Sequence, residues 1–116
     1  MRDNNERILD MLDAIERIER YALKGRDAFV NDELIQTWII HHLQIIGEAA
    51  SKLDQGFRDS NSEVPWPQIV AMRNVIAHEY FGIDLDEVWQ VIEKDLPELK
   101  EKLNGICIKQ NLPENP

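Results

Sequence analysis

Apolar residues recur at three- and four-residue steps along almost the whole chain, the period of an α-helix rather than of a strand. Ile8, Met11, Leu12, Ile15, Ile18 and Ala22 set this rhythm first and predict a helix over residues 3–24. Its other face is charged, and Asp13/Arg17 and Glu16/Arg20 are favourable i,i+4 pairs on a solvated surface. Gly25 is the expected stop, because glycine takes a positive φ without strain. Arg26 to Val30 read as a connector with Phe29 tucked into the core. Asn31 or Asp32 can cap a second helix, expected to run to about Gln55. Leu34, Ile35, Trp38, Ile39, His42, Ile45, Ile46, Ala49 and Leu53 make it apolar over more than one stripe, so it should face both the core and a partner. Gly47 costs about 1 kcal/mol against alanine in mid-helix, which close approach of another helix would explain.

Residues 56–66 contain Gly56, Asp59, Ser60, Asn61, Ser62 and Pro65 and predict a loop. Trp66-Pro67 opens a third helix, with Ile69, Val70, Met72, Val75 and Ile76 on its buried side, ending around Tyr80 with Gly82 as terminator. Asp84-Leu85-Asp86-Glu87 is an acidic start for the next helix. Leu85, Val88, Trp89, Ile92, Leu96, Leu99 and Leu103 keep one rhythm across Pro97. The last helix is therefore kinked at Pro97 or restarted there, with Asp95 or Leu96 as cap. The rhythm lapses from Asn104-Gly105, which puts the domain at residues 1–104 and a polar tail at 105–116. The expected architecture is all-α, an up-and-down four-helix bundle with a kinked or split C-terminal helix.

Length and composition narrow this picture. A chain of 116 residues has room for one core, and 43% apolar residues suit a globular fold. A single cysteine, Cys107, allows no intrachain disulfide and suits a reducing cytoplasm; it is expected to pack rather than react. No apolar run is long enough for a membrane span, and no signal-peptide pattern is visible. The net charge of −9 argues against a general nucleic-acid binder. It leaves room for a small basic cleft in an acidic body, or for a basic partner protein.

The candidate chemistry concentrates in Met72-Arg73-Asn74-Val75-Ile76-Ala77-His78-Glu79-Tyr80. Arginine clamps phosphate oxygens, and histidine moves protons near neutral pH. RNA carries its own nucleophile in the 2′-OH, so such a pair could cleave it without a metal. Asn74 and His78 are four apart and share a helix face. Arg73 and His78 are five apart, about 140° around the axis, so one copy makes no compact site. Two copies across a twofold axis would bring both pairs into one cleft. Elsewhere, adjacent His41 and His42 diverge by about 100° and suit packing or interface polarity better than a metal. Glu48 reads as a structural partner for an arginine, for example at a dimer interface, rather than as a catalyst. Arg58 is expected in solvent, though it could reach a phosphate.

Arg73-x4-His78-x-Tyr80 resembles the RX4HXY signature of the HepT-like toxins of the HEPN superfamily. Ile45-Ile46-Gly47-Glu48-Ala49 resembles that family's second-helix signature, Trp66-Pro67 with Met72-Arg73-Asn74 its third, Gly82-Ile83-Asp84 with Val88-Trp89 its fourth, and Asp95-Leu96-Pro97-Glu98-Leu99 its last. The likeness spans nearly the whole chain. It implies a homodimer whose two motif copies form one metal-independent RNA-cleaving cleft. Arg73 would bind phosphate, His78 would be general acid/base, and Asn74 would orient His78 or the RNA. Tyr80 would be the residue to which a minimal nucleotidyltransferase antitoxin adds AMP, in a type VII toxin–antitoxin system. No cofactor is implied in this chain; ATP and magnesium would belong to the antitoxin. The alternative within the same superfamily is a non-catalytic nucleotide- or partner-binding module.

Overall fold

The structure, a computed structural model, describes residues 3–78 and 84–112, and of Met72 and residues 74–78 the backbone alone. The helices are α1 (Asn4–Ala22), α2 (Arg26–Asn31), α3 (Glu33–Ser51), α4 (Gln55–Ser60), α5 (Trp66–His78), α6 (Leu85–Gln90) and α7 (Leu96–Lys109). A π-helical turn, Val91–Asp95, joins the last two. Among the described residues there is no strand, and the long segments form the expected up-and-down bundle.

Side-chain caps set the helix starts. Asp3 accepts from the Glu6 N–H at 2.8 Å, Asp32 from Leu34 at 2.9 Å, and Asp84 from Asp86 at 2.9 Å. Each satisfies a donor that the first helical turn leaves without a partner. Gly25 sits at φ 94° between α1 and α2, where a side chain would be strained.

The core is the α1 stripe Ile8, Met11, Leu12, Ile15 and Ile18 laid against Ile39, Leu43 and Ile46 of α3. Leu103 and Ile106 of α7 and Phe29 of α2 close it. α3 is the central element, with α1 on one side and α5 on the other. Leu103 is fully buried, so Leu103→Ala should cost about 2–5 kcal/mol of unfolding free energy. Urea denaturation checks this; a loss below about 1 kcal/mol would mean the α7 seam is not packed as described.

Four expectations need correction. Residues 26–30 are not a plain connector, since Arg26–Asn31 is helical with Phe29 buried as expected. Gln36 of α3 donates to Phe29 O and Val30 O at 3.0 Å each, capping the end of α2. The second long helix ends at Ser51, not Gln55. Residues 55–60 form helix α4 rather than loop, followed by a turn built around fully buried Asn61. Asn61 Nδ2 donates to Phe57 O at 2.8 Å, and Trp66 Nε1 donates to Asn61 O at 3.1 Å. Finally, α7 runs through Asn104-Gly105 to Lys109 and buries Ile106 and Cys107.

The rhythm across Pro97 is carried by one continuous helical path. Pro97 brings no N–H to the ladder. The turn before it widens, with Leu96 N–H donating to Val91 O five residues back.

Candidate functional site

The site is built at the contact of α3 with α5. A Cβ added at Gly47 would lie 2.4 Å from Arg73 Cβ and 3.2 Å from Arg73 Cα. Only glycine lets the two backbones approach this closely, so the predicted close approach is observed, and it falls on Arg73. The arginine is thereby seated beside the last two turns of α3. Its Nη1 donates to Glu48 Oε2 at 2.7 Å and to Ser51 Oγ at 3.1 Å. Ser51 Oγ in turn donates to Glu48 O at 2.7 Å. The other carboxylate oxygen of Glu48 meets Lys52 Nζ at 3.0 Å.

Glu48 therefore has the expected arginine partner, and that arginine is Arg73 of its own chain. Hydrogen bonds from Lys52, then Arg73, hold its carboxyl below the usual value of 4.5. A lowered folded-state value means that any stability from this pair is present above pH 4.5 and is lost as pH falls through the lowered value. The carboxylate is 48% exposed, so water screens the pair and its contribution to folding is small.

Arg58 does not sit in solvent. It is half-buried, and its Nη2 donates to Ser51 O at 2.9 Å. Ser51 thus takes one arginine on its carbonyl and another on its hydroxyl. Both cations lie at the C-terminal end of α3, where the helix dipole favours positive charge.

Arg73 and Glu48 stand at the wall of an open groove of about 820 Å³ between α1 and α3. Arg7 and Arg17 of α1 line it, as do His41 and His42, with Asp10 and Asp13 among them. His42 is buried, and its Nδ1 lies 2.7 Å from Trp38 O. A carbonyl only accepts, so Nδ1 carries the proton in the neutral ring. Burial lowers its pKa from 6.5; the bond to Trp38 opposes this, and His41 and Arg17 add to it. The ring packs against Trp38 at 4.5 Å with the planes tilted by 41°, while His41 meets it edge-on at 5.1 Å. Trp38 itself donates to Arg17 O at 2.9 Å, so this packing ties α3 to α1. Among the described residues no group of three or more His, Cys, Asp or Glu side chains could hold a metal ion. No helix of those residues is long and apolar enough to cross a membrane.

Of the motif, the structure places the Arg73 side chain alone. The backbone of Asn74 and His78 continues α5, but their side chains, and all of Tyr80, lie outside the described residues, as do the side chains of Met72, Val75 and Ile76. Sequence reasoning missed Ser51 and Lys52 as partners in the Arg73–Glu48 contact. Their signal was available: Glu48 and Lys52 are an i,i+4 pair, and Ser51 lies four residues after the glycine that marks the contact.

The HepT-like ribonuclease family matches residues 11–106, which takes in most of the groove lining, the Gly47 contact and the whole motif. The chain belongs to the HepT-like ribonuclease family. Several curated relatives agree. A Thermococcus cleftensis protein named "Probable ribonuclease HepT" is 33% identical over 90% of this chain and 96% of its own length. A Caldanaerobacter subterraneus protein, provisionally named as an RNase, is 38% identical over 80% of this HepT-like chain and 83% of the relative. A Methanocaldococcus jannaschii protein, whose name joins a gamma-glutamylcyclotransferase to a provisional RNase, is 37% identical over 90% of this chain. The chain spans 47% of that relative's length. No solved structure matches significantly.

Proposed function

We propose that this HepT-like chain is a metal-independent endoribonuclease acting as a homodimer, the toxin of a type VII HEPN/MNT toxin–antitoxin system in the cytoplasm. The observation that carries the reading is Arg73, fixed by α3 at the wall of an open groove in a chain of this family. Its guanidinium supplies the bidentate donors that a phosphate needs. His78 would take the proton from the 2′-OH as it attacks phosphorus, and the histidine of the second copy would protonate the leaving 5′ oxygen. Arg73 would stabilise the charge that builds on the phosphoryl oxygens between these steps. Positions 73 and 78 lie about 140° apart around α5, which is why the reading calls for two copies. Asn74 would orient His78 or the RNA.

Neutralisation would come from a minimal nucleotidyltransferase antitoxin that uses its own magnesium and ATP to place AMP on Tyr80. The added phosphate brings negative charge beside a cleft that must receive an anionic RNA. Incubation with the antitoxin and ATP should raise the intact mass by one AMP, and Tyr80→Phe should show no shift. An unshifted wild type, or a shifted Tyr80→Phe, removes this mode of control.

The alternative is a non-catalytic nucleotide- or partner-binding module, favoured by the acidic surface at net charge −9. A purified dimer that binds a nucleotide or the transferase tightly and cuts no RNA would establish it.

A further inference from the structure

The residues around Arg73 form more than a surface ion pair. A half-exposed Arg–Glu pair normally leaves the arginine free to sample several rotamers, and its contribution to folding is small. Here the arginine is restrained at both ends. At the Cβ end, the missing side chain of Gly47 brings the α3 backbone against it, and an atom there would sit at 2.4 Å. At the guanidinium end, one nitrogen, Nη1, is shared between Glu48 Oε2 at 2.7 Å and Ser51 Oγ at 3.1 Å. Both acceptors are themselves fixed. Lys52 holds the second Glu48 oxygen, and the Ser51 hydroxyl is oriented by its own bond to Glu48 O at 2.7 Å. Arg58 ties the Ser51 carbonyl from the other side at 2.9 Å. The guanidinium is thus gripped by a chain of hydrogen bonds running along the end of a rigid helix, at the wall of the groove.

We infer that Glu48 and Ser51 are positioning residues that hold the Arg73 guanidinium in the orientation in which it meets the scissile phosphate. The role rests on the ribonuclease reading. Glu48 does not touch the reacting atoms. It acts by removing the search for the productive rotamer before substrate arrives, since misplacing such a group by about 1 Å can cost about 100-fold in rate.

The test follows RNA cleavage and the motion of Arg73 in the full chain. Glu48→Ala should lower kcat about 100-fold, leave KM nearly unchanged, and barely move the melting temperature. Glu48→Gln keeps an acceptor for Nη1 and should recover most of that loss. In an Arg73→Ala background, Glu48→Ala should cause no further loss, because the interaction it serves has gone. Nitrogen-15 NMR of the arginine side chains gives a readout independent of activity. The Arg73 guanidinium should be restrained in the wild type and mobile in both Glu48→Ala and Ser51→Ala. Equal Arg73 mobility in the wild type and Glu48→Ala overturns the positioning role, as does a Glu48→Ala loss of the same factor with and without Arg73. A wild type that cuts no RNA removes the ribonuclease reading instead, and the NMR comparison still decides whether Glu48 holds Arg73.

Discussion

Arg73→Ala should lower RNA cleavage by about 1,000-fold while leaving the bundle folded. The size follows from the role: deleting one preorganised donor to a charge that develops in the transition state typically costs about 100- to 1,000-fold. In the proposed dimer the substitution would remove two such donors, one from each copy, so the effect is expected at the upper end or beyond. Folding should change little. The Arg73 side chain is 31% exposed, and its partner Glu48 keeps Lys52, so no charge is stranded in the interior. Exposed pairs of this kind contribute about 0–1 kcal/mol. Arg73→Lys sharpens the point. It keeps the charge and loses the planar fork, so it should recover only a part of the activity. Single-turnover cleavage of a labelled RNA, with circular dichroism on the same samples, checks both halves. Full activity in Arg73→Ala contradicts the assignment.

The second large effect is expected at Gly47. In an exposed helix, glycine to alanine gains about 1 kcal/mol, so propensity alone predicts a more stable protein. Packing opposes this here. The new Cβ would meet Arg73 Cβ at 2.4 Å and the Arg73 backbone at 3.2 Å, and a backbone atom cannot swing aside as a side-chain end can. α3 and α5 would have to part, and overpacking of this kind costs about 1–3 kcal/mol. Gly47→Val adds bulk and gives back the propensity gain, so it should lose about 3 kcal/mol and carry Arg73 away from its acceptors, abolishing cleavage. Gly105→Ala is the control. It lies in α7, nothing stands within 4 Å of the added atom, and it should gain about 0.5–1 kcal/mol with activity unchanged. Chemical denaturation of the three variants orders the effects. A stabilised Gly47→Val would mean that the α3–α5 contact is not as close as described.

The long elements were legible because their cause is local. The α1 rhythm from Ile8 to Ile18 needs only a period of 3.6, and the Asp32 and Asp84 caps need only an acceptor before an apolar run. The short elements were not. Helices of six residues, such as α2 and α4, hold too few positions for a period and are stabilised by tertiary contacts rather than propensity. Gln36 holds the end of α2, and buried Asn61 organises the turn after α4; neither bond can be read from spacing. The π-helical turn before Pro97 reconciles an unbroken apolar rhythm with a residue that lacks a donor, so the sequence allowed either a kink or a restart. Asn104-Gly105 carried a turn signal that the burial of Ile106 and Cys107 overrides.

For the site, Gly47 was the informative residue. An unfavourable glycine in mid-helix announced a close contact, and the structure shows Arg73 on its other side. What the sequence could not supply was the identity of the partner. The sequence suggests an arginine partner for Glu48, for example at a dimer interface, but nothing in the spacing singles out Arg73, 25 positions away. Arg58 lies in a stretch whose composition predicts a solvent-exposed loop, but the stretch folds as α4 and turns Arg58 back onto Ser51.

Cleavage without metal tests the account most directly. Purified wild-type protein is incubated with a single-stranded RNA in excess EDTA, beside His78→Ala prepared in the same way. The wild type should cut the RNA and His78→Ala should leave it intact. RNA that survives the wild type, or that His78→Ala cuts equally well, contradicts the account.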